Sequence, residues 1–309
     1  MLQRIPEIFL RPFPYWEKID LFRKVLYVFL LFNALTLLPI AHELFSYDGI
    51  VGAVGWNTKY PWYQQGSKAI LNILNHPINS GHPWIAYVFV YGQIALLISG
   101  LLNFLPRLTA VLLYIVTANL FVKGYLMFTG GEALINILLF YLIFIQKSSK
   151  KQVENGAPLF SNLQNVLNNT FYWVVLIQVC VLYFFSTLYK LMDPYWLNGE
   201  ALMYVSKVDA FSSPALYAVF AENPTLSMIG TYTVLLYQGL FPLLVWFKRI
   251  KIPFLILGVI FHLGIAIGMG IFTFGIIMIL TYLLFLDQQH INWLKKRFSR
   301  KKSVIITKG

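Results

Sequence analysis

Charged residues are scarce in this sequence, in which Asp, Glu, Lys and Arg make up 12% of the chain and hydrophobic residues 58%. A soluble globular domain carries about 25% charged residues. The low charge and the mean hydropathy of +0.67 therefore exclude a soluble domain and predict an integral membrane protein. The formal net charge of +12 does not indicate a nucleic-acid partner. Most basic residues flank apolar runs, where they act as an orientation signal.

Cysteine is almost absent, since Cys180 is the only one and lies within an apolar run. A single cysteine cannot form an intramolecular disulfide or a CxxC redox centre. This excludes the membrane thiol oxidoreductases, which pass electrons between paired cysteines. The sequence also lacks a GxGxxG motif, a Walker loop, an HExxH motif and any paired metal-ligand motif. We therefore predict that the protein holds no metal ion.

Long apolar runs are abundant, and a helix that crosses the hydrocarbon core needs about 20 such residues. We predict a single all-α membrane domain over residues 1–309, with an interfacial lead-in at 1–20 and a basic cytoplasmic tail at 288–309. The last two of its spans are short and meet at Gly268-Met269-Gly270, which predicts a hairpin. The eight predicted spans are 21–41, 85–105, 108–128, 132–146, 170–189, 228–247, 252–268 and 271–286.

The distribution of charge predicts the orientation of these spans. With eight spans both termini lie on one side of the membrane, and that side receives 19 of the 24 lysine and arginine residues. The positive-inside rule then predicts that both termini are cytoplasmic in a multi-pass protein of the cell membrane. Two long segments, 42–84 and 190–227, are external. We expect them to fold over the outer mouth as a helical lid, with an interfacial helix near 64–75.

Three ionisable residues within or beside the spans mark candidate functional positions, because such side chains are costly in a membrane. Glu132 begins the fourth span, Lys190 ends the fifth, and His262 lies inside the seventh. Each also has a structural interpretation. Lys190 could be an interfacial anchor in an aromatic belt, Glu132 could stabilise the N-terminus of its helix, and His262 could be a neutral core histidine bonded to a carbonyl.

Three stretches that contain these residues resemble one family. Residues 189–214 (YKLMDPYWLNGEALMYVSKVDAFSSP) resemble the lysine, tryptophan, glycine and Ser-Pro pattern of vitamin K-dependent γ-glutamyl carboxylase and of the bacterial HTTM proteins, which share its membrane domain. Residues 261–285 (FHLGIAIGMGIFTFGIIMILTYLLF) are similar to the penultimate-span histidine and following hairpin of that family. Residues 129–144 (TGGEALINILLFYLIF) are similar to the Gly-Gly-acidic start of a span in HTTM proteins.

The resemblance implies a fold, a cofactor and roles for particular residues. In the carboxylase the matching lysine is the base proposed to deprotonate vitamin K hydroquinone, so Lys190 becomes the candidate base. Glu132 and His262 become its proton or hydrogen-bond partners in catalysis. The implied cofactor is a quinol of the vitamin K or menaquinone type. The residues of the Lys190 motif that we expect to bind substrate are Tyr195, Trp196, Asn198 and Glu200.

Two departures from the carboxylase leave the function open. The carboxylase has a catalytic histidine where Glu132 stands, and an acid cannot replace an imidazole unchanged. The carboxylase also continues into a large lumenal β-rich region, whereas this sequence ends 22 residues after Asp287. One hypothesis is a carboxylase-like enzyme that modifies a peptide or lipid-proximal substrate in an outward-facing cavity. The alternative is a non-enzymatic maturation or chaperone partner of an exported peptide or toxin, as among bacterial members of the family. Membrane lipid is an expected partner in both cases, and nucleic acid is not.

Overall fold

The structure is a computed structural model that describes residues 9–50, 74, 76–127, 129–147, 158–293 and 296–297. All regular secondary structure in these residues is helical, which confirms the all-α class. Helices are what such apolar runs must form in lipid, because each backbone N–H and C=O group has to find its partner within the segment. The α-helices are α1 (Trp16–Leu37), α2 (Ala41–Phe45), α3 (Trp84–Leu101), α4 (Pro106–Lys123), α5 (Gly130–Phe144), α6 (Pro158–Leu191), α7 (Pro194–Leu197), α8 (Ala201–Ser206), α9 (Pro214–Phe220), α10 (Pro224–Leu244), α11 (Lys248–Leu263) and α12 (Phe272–Thr281).

Six helical segments in the described part of the chain are long and apolar enough to cross a membrane. Two shorter apolar helices, Gly130–Phe144 and Phe272–Phe285, correspond to the fourth and eighth predicted spans. The count of eight spans and the cytoplasmic termini stay predictions. The six segments are Trp16–Phe45, Trp84–Leu101, Pro106–Lys123, Ser161–Leu191, Pro224–Leu244 and Lys248–Gly268.

The chain divides into two compact units. The first comprises Met1–Arg11 and Arg23–Phe171, and the second comprises Pro12–Phe22 and Tyr172–Gly309. In the first unit α4 packs against both α3 and α5, and α2 packs against α3. In the second unit α11 packs against both α10 and α12, while α8 and α9 pack against each other and against α10.

Helix α6 begins at Pro158, well before the predicted span start at residue 170. Its first turns carry polar amides that bond to the C-terminal end of α5 within the first unit. Gln164 Nε2 donates to the Phe144 carbonyl at 3.1 Å, and Asn168 Nδ2 donates to the Gln146 carbonyl at 3.2 Å. The last carbonyls of a helix have no partner within the helix, and the Gln164 amide supplies one for Phe144, while Asn168 bonds to the chain just beyond the helix. The polar start of α6 is therefore part of the fold.

The segment 190–227 is helical, as predicted, and belongs to the second unit. It contributes α7, α8 and α9, and it bonds to neighbouring elements at three points. Leu202 N donates to Thr231 Oγ1 at 3.2 Å, Tyr232 Oη donates to the Leu197 carbonyl at 2.8 Å, and Ser213 N donates to the Gly268 carbonyl at 2.8 Å. The segment therefore packs on α10 and on the end of α11. Its position over an outer mouth stays a prediction.

The other predicted external segment, 42–84, is described only at its two ends. Residues 51–73 and 75, on which most of the predicted helix near 64–75 falls, lie outside the described residues. The N-terminal end contains α2, and Asp48 bonds to the far end of the segment. Its carboxylate accepts from Ser80 Oγ at 3.0 Å and from Gly81 N at 2.6 Å.

Helices α11 and α12 are joined by a π-helical turn, Gly264–Gly268, followed by Gly270 at φ +70°. A positive φ is readily adopted by glycine because it has no Cβ. Beyond the joint, a Cβ at Gly275 would lie only 2.5 Å from the His262 carbonyl oxygen. The two helices therefore approach closely at His262.

Within the second unit, a charged cluster joins the start of α1 to residues 284–287, just after α12. Lys18 is 5% exposed, and its Nζ donates to Tyr172 Oη at 3.0 Å and to the Leu284 carbonyl at 3.2 Å. Lys251 Nζ donates to Asp287 Oδ1 at 2.9 Å. Burial alone would raise the pKa of Asp287, but the hydrogen bond and positive charge of Lys251 outweigh it and hold that pKa below its ordinary value.

Candidate functional site

Lys190 lies in the last turn of α6, and its amine is held from within the same helix. Its Nζ donates to Ser186 Oγ, one turn earlier, at 2.7 Å. Ser186 Oγ in turn donates to Gln238 Oε1 on α10 at 3.3 Å. Gln238 is buried. The amine is thus connected through a hydroxyl to an amide in the interior of the second unit.

The indole of Trp196 also lies close to this amine. Lys190 Nζ lies 4.9 Å from the centre of the Trp196 ring. Trp196 is brought there by α7, whose N-cap residue Asp193 accepts from Tyr195 N at 2.8 Å. In the described part of the chain no carboxylate lies within ion-pair distance of Lys190. The two contacts described for this amine, a hydroxyl and an aromatic ring, are both neutral.

The remaining residues predicted to bind substrate shape the turn after α7 instead. Asn198 N donates to the Pro194 carbonyl and Glu200 N to the Tyr195 carbonyl, each at 2.8 Å. The Tyr195 ring, 51% exposed, packs against the Tyr204 ring at 4.6 Å. Of the four residues, Trp196 is the one that the described contacts bring to Lys190.

His262 is fully buried, at 0% exposure, and its partner is a phenol. Its Nε2 lies 2.7 Å from Tyr183 Oη of α6. Tyr183 Oη lies 2.5 Å from Tyr282 Oη, and Tyr282 Oη lies 2.9 Å from Tyr237 Oη of α10. Three phenols and one imidazole therefore form a continuous hydrogen-bonded chain, which we call the tyrosine chain. The observed partner is thus a phenol, whereas the structural interpretation of His262 from the sequence predicts a backbone carbonyl.

Gly258 makes room for the tyrosine chain, one turn before His262 on α11. A Cβ at this position would overlap Tyr237 Oη and would lie 2.5 Å from Tyr282 Oη. Two phenol oxygens therefore rest directly against the backbone of α11. Any larger residue would have to displace them.

The Lys190 contacts and the tyrosine chain share one face of α6. Tyr183, Ser186 and Lys190 are three and four residues apart, a spacing that places side chains on the same side of a helix. With a rise of 1.5 Å per residue, Lys190 lies about 10 Å along the axis from Tyr183. Sequence reasoning missed all three tyrosines and Ser186. Their spacing from Lys190 on α6 could have predicted that Tyr183 and Ser186 lie on the same face as Lys190. Nothing in the sequence predicts the contact with Tyr237 or Tyr282.

Glu132 lies in the first unit, whereas Lys190 and His262 lie in the second. Its Oε2 accepts from Thr129 N at 2.8 Å and from Thr129 Oγ1 at 2.5 Å, while Thr129 Oγ1 accepts from Gly131 N at 3.1 Å. These contacts form a capping box at the start of α5. They match the structural interpretation that the sequence left open, and a catalytic role for Glu132 stays a prediction.

The fold and these contacts define an all-helical membrane protein with an amine held by neutral groups and a buried tyrosine–histidine chain. Two proteins of Bacillus subtilis strain 168 are similar to this chain. The uncharacterized protein YitO is 28% identical over 203 residues, which cover 62% of this chain and 64% of YitO. The sporulation-delaying protein SdpB is 26% identical over 220 residues, which cover 67% of this chain and 68% of SdpB. No model of a protein family matches the chain, and no solved structure matches it significantly.

Proposed function

We propose that this protein is an enzyme of the cell membrane in which Lys190 acts as a general base on a quinol or on a lipid-proximal peptide. The observation that carries the proposal is that the described contacts of its amine, Ser186 Oγ and the Trp196 ring, are neutral and include no carboxylate. A carboxylate beside a lysine would stabilise the ammonium form. An amine that lacks such a partner and is shielded from water gives up its proton more easily, as a base must.

The groups around Lys190 have the chemistry that a quinol requires. Bound there, a quinol would supply an acidic hydroxyl and the reducing electrons for the oxygen-dependent chemistry that the family resemblance implies. The neutral amine of Lys190 accepts the proton of the bound hydroxyl. Ser186 and Gln238 orient the amine, and the face of Trp196 stabilises the resulting ammonium by about 0.5–2 kcal/mol.

The proposal includes a membrane arrangement that follows from charge. The two shorter apolar helices join the six longer ones to make eight spans, with both termini cytoplasmic. Lys190 and the segment 190–227 then face the outside. In this arrangement His262 is a hydrogen-bond partner in the interior, and Glu132 begins a span on the outer side.

A second candidate, a non-enzymatic maturation partner of an exported peptide, is supported by the name of one relative, a sporulation-delaying protein. It is also supported by apolar side chains that the segment 190–227 exposes. Met192 is 79% exposed and Leu197 51%. A partner protein would bind these side chains and would not require a base at Lys190.

Bound quinone tests the first candidate. The protein is purified in mild detergent, its lipids are extracted, and menaquinone is quantified by mass spectrometry. We expect near-stoichiometric quinone with the unmodified protein and several-fold less with Lys190→Ala. Lys207→Ala is the matched control, because Lys207 Nζ also lies over an aromatic ring, that of Tyr204 at 5.8 Å. If all three samples contain the same trace amount of quinone, the quinol is removed from the proposal. Recovery of an exported peptide crosslinked to residues 190–227 would then favour the second candidate.

A further inference from the structure

The geometry of the tyrosine chain limits the ways in which its phenol hydrogens can all be used. Three contacts join four groups, and each phenol brings a single hydrogen. All three phenol hydrogens are used in one arrangement only. In it Tyr237 donates to Tyr282, Tyr282 donates to Tyr183, and Tyr183 donates to His262 Nε2.

Every other arrangement leaves a phenol hydrogen without an acceptor. If His262 Nε2 donates instead, one of the three phenols, Tyr183, Tyr282 or Tyr237, keeps a hydrogen that no contact of the chain accepts. All three phenols are buried, at 0%, 4% and 4% exposure. A buried donor that loses its partner carries the full desolvation penalty. Donation by Nε2 would leave two buried groups without a partner, a phenol hydrogen and the Nδ1 lone pair, whereas the inward arrangement leaves one, the Nδ1 hydrogen. The inward arrangement is therefore favoured, and the neutral imidazole carries its proton on Nδ1.

That proton has no acceptor in the described part of the chain. His262 Nδ1 is buried and has no hydrogen-bond partner among the described residues. Its ring is surrounded by the rings of Phe261 and Phe274, at centroid distances of 4.8 and 5.7 Å. A π-helical turn, a feature frequent at functional sites, follows immediately at Gly264–Gly268. Buried polar groups almost always have a partner.

We propose that His262 Nδ1–H is a binding site for an acceptor oxygen, which the tyrosine chain prepares by fixing the imidazole tautomer. The ligand is a small neutral oxygen acceptor, either a buried water or the carbonyl of a membrane-soluble molecule. Tyr183 is the positioning residue, because it holds Nε2 as the acceptor. This site is separate from the proposed base at Lys190 and does not depend on it.

Nitrogen NMR of protein labelled with ¹⁵N-histidine tests the tautomer. The chain has only five histidines, and loss of one signal in His262→Gln assigns the residue. We expect a protonated Nδ1 and an unprotonated Nε2 in the unmodified protein. Tyr237→Phe should keep this pattern, because the shortened chain still donates inward, whereas Tyr183→Phe should lose it. A protonated Nε2 in the unmodified protein overturns the proposal, even if a variant fails to fold.

The acceptor is identified on the same sample. Magnetisation transfer from water to the Nδ1 proton would show a bound water, and a shift of the Nδ1 signal on addition of menadione would show a carbonyl. Either result supports the site. A protonated Nδ1 that shows neither effect would overturn it, because the donor would then be buried without any acceptor.

Discussion

Replacement of Gly258 by alanine would place a methyl group where two phenol oxygens of the tyrosine chain now lie. The added Cβ would overlap Tyr237 Oη and lie 2.5 Å from Tyr282 Oη. Overpacking of this kind costs about 1–3 kcal/mol, and displacement of a phenol loses a hydrogen bond of about 1 kcal/mol. Alanine in a helix interior returns about 1 kcal/mol relative to glycine. We therefore expect the free energy of unfolding to fall by about 1–3 kcal/mol.

The assay measures the midpoint of thermal unfolding in one detergent. Unfolding is monitored through the fraction of protein that remains monodisperse. Gly92→Ala is the matched control, since Gly92 is also within a long apolar helix but an added Cβ there meets nothing within 4 Å. It should unfold at the same temperature as the unmodified protein or slightly above. The double variant Gly258→Ala/Tyr237→Phe should recover part of the loss, because the nearest clashing atom is gone. If Gly258→Ala is as stable as Gly92→Ala, the close packing of the tyrosine chain against α11 is refuted.

Three further predictions concern topology, acid stability and the start of α5. A cysteine at Ser212 should react with an impermeant reagent on intact cells and one at Ser303 should not, because 190–227 is proposed to be external. Asp287→Asn should remove part of the loss of stability on acidification, measured as the thermal midpoint between pH 7 and pH 3. Thr129→Ala should lower the free energy of unfolding by about 0.5–2 kcal/mol through loss of the cap. The activity of a Glu132→Gln variant then separates the capping role of Glu132 from a catalytic one.

The sign of the acid effect follows from the lowered pKa of Asp287. A carboxyl whose folded pKa is depressed contributes stability above its unfolded pKa, near 3.9, and loses it as the pH falls through the folded value. An Asp287→Asn protein as acid-sensitive as the unmodified one would contradict this. If the cysteine at position 212 is protected and the one at position 303 is labelled, the topology is the reverse of the predicted one. A Thr129→Ala protein of unchanged stability would show that the cap contributes nothing.

The helices were predictable from sequence because the length of an apolar run limits what it can form in lipid. The start of α6 was not, because Gln164 and Asn168 look like the polar flank of a span. Their amides instead bond to the end of α5, a contact between distant parts of the chain. A pattern of hydropathy contains no information on such partners.

The candidate site was predictable only where its residues are close in sequence. Lys190 and Trp196 are six positions apart, and the structure brings them together. His262 was recognised as unusual because it is ionisable, but its phenol partners come from three other segments of the chain. Their meeting depends on how α6, α10, α11 and the end of α12 pack, and helical periodicity within one segment cannot specify that.

Replacement of Lys190 by arginine tests the proposed base most directly. Arginine keeps the positive charge, can donate to Ser186 and can lie over Trp196, so it preserves a structural anchor. It cannot act as a base, because a guanidinium does not lose its proton in proteins. The measurement is complementation of a deletion strain by Lys190→Arg, with expression matched and Lys207→Arg as the control. We predict a loss of activity of about 10²–10⁴-fold for Lys190→Arg and none for the control, whereas near-normal activity of Lys190→Arg would contradict the role of Lys190 as a base.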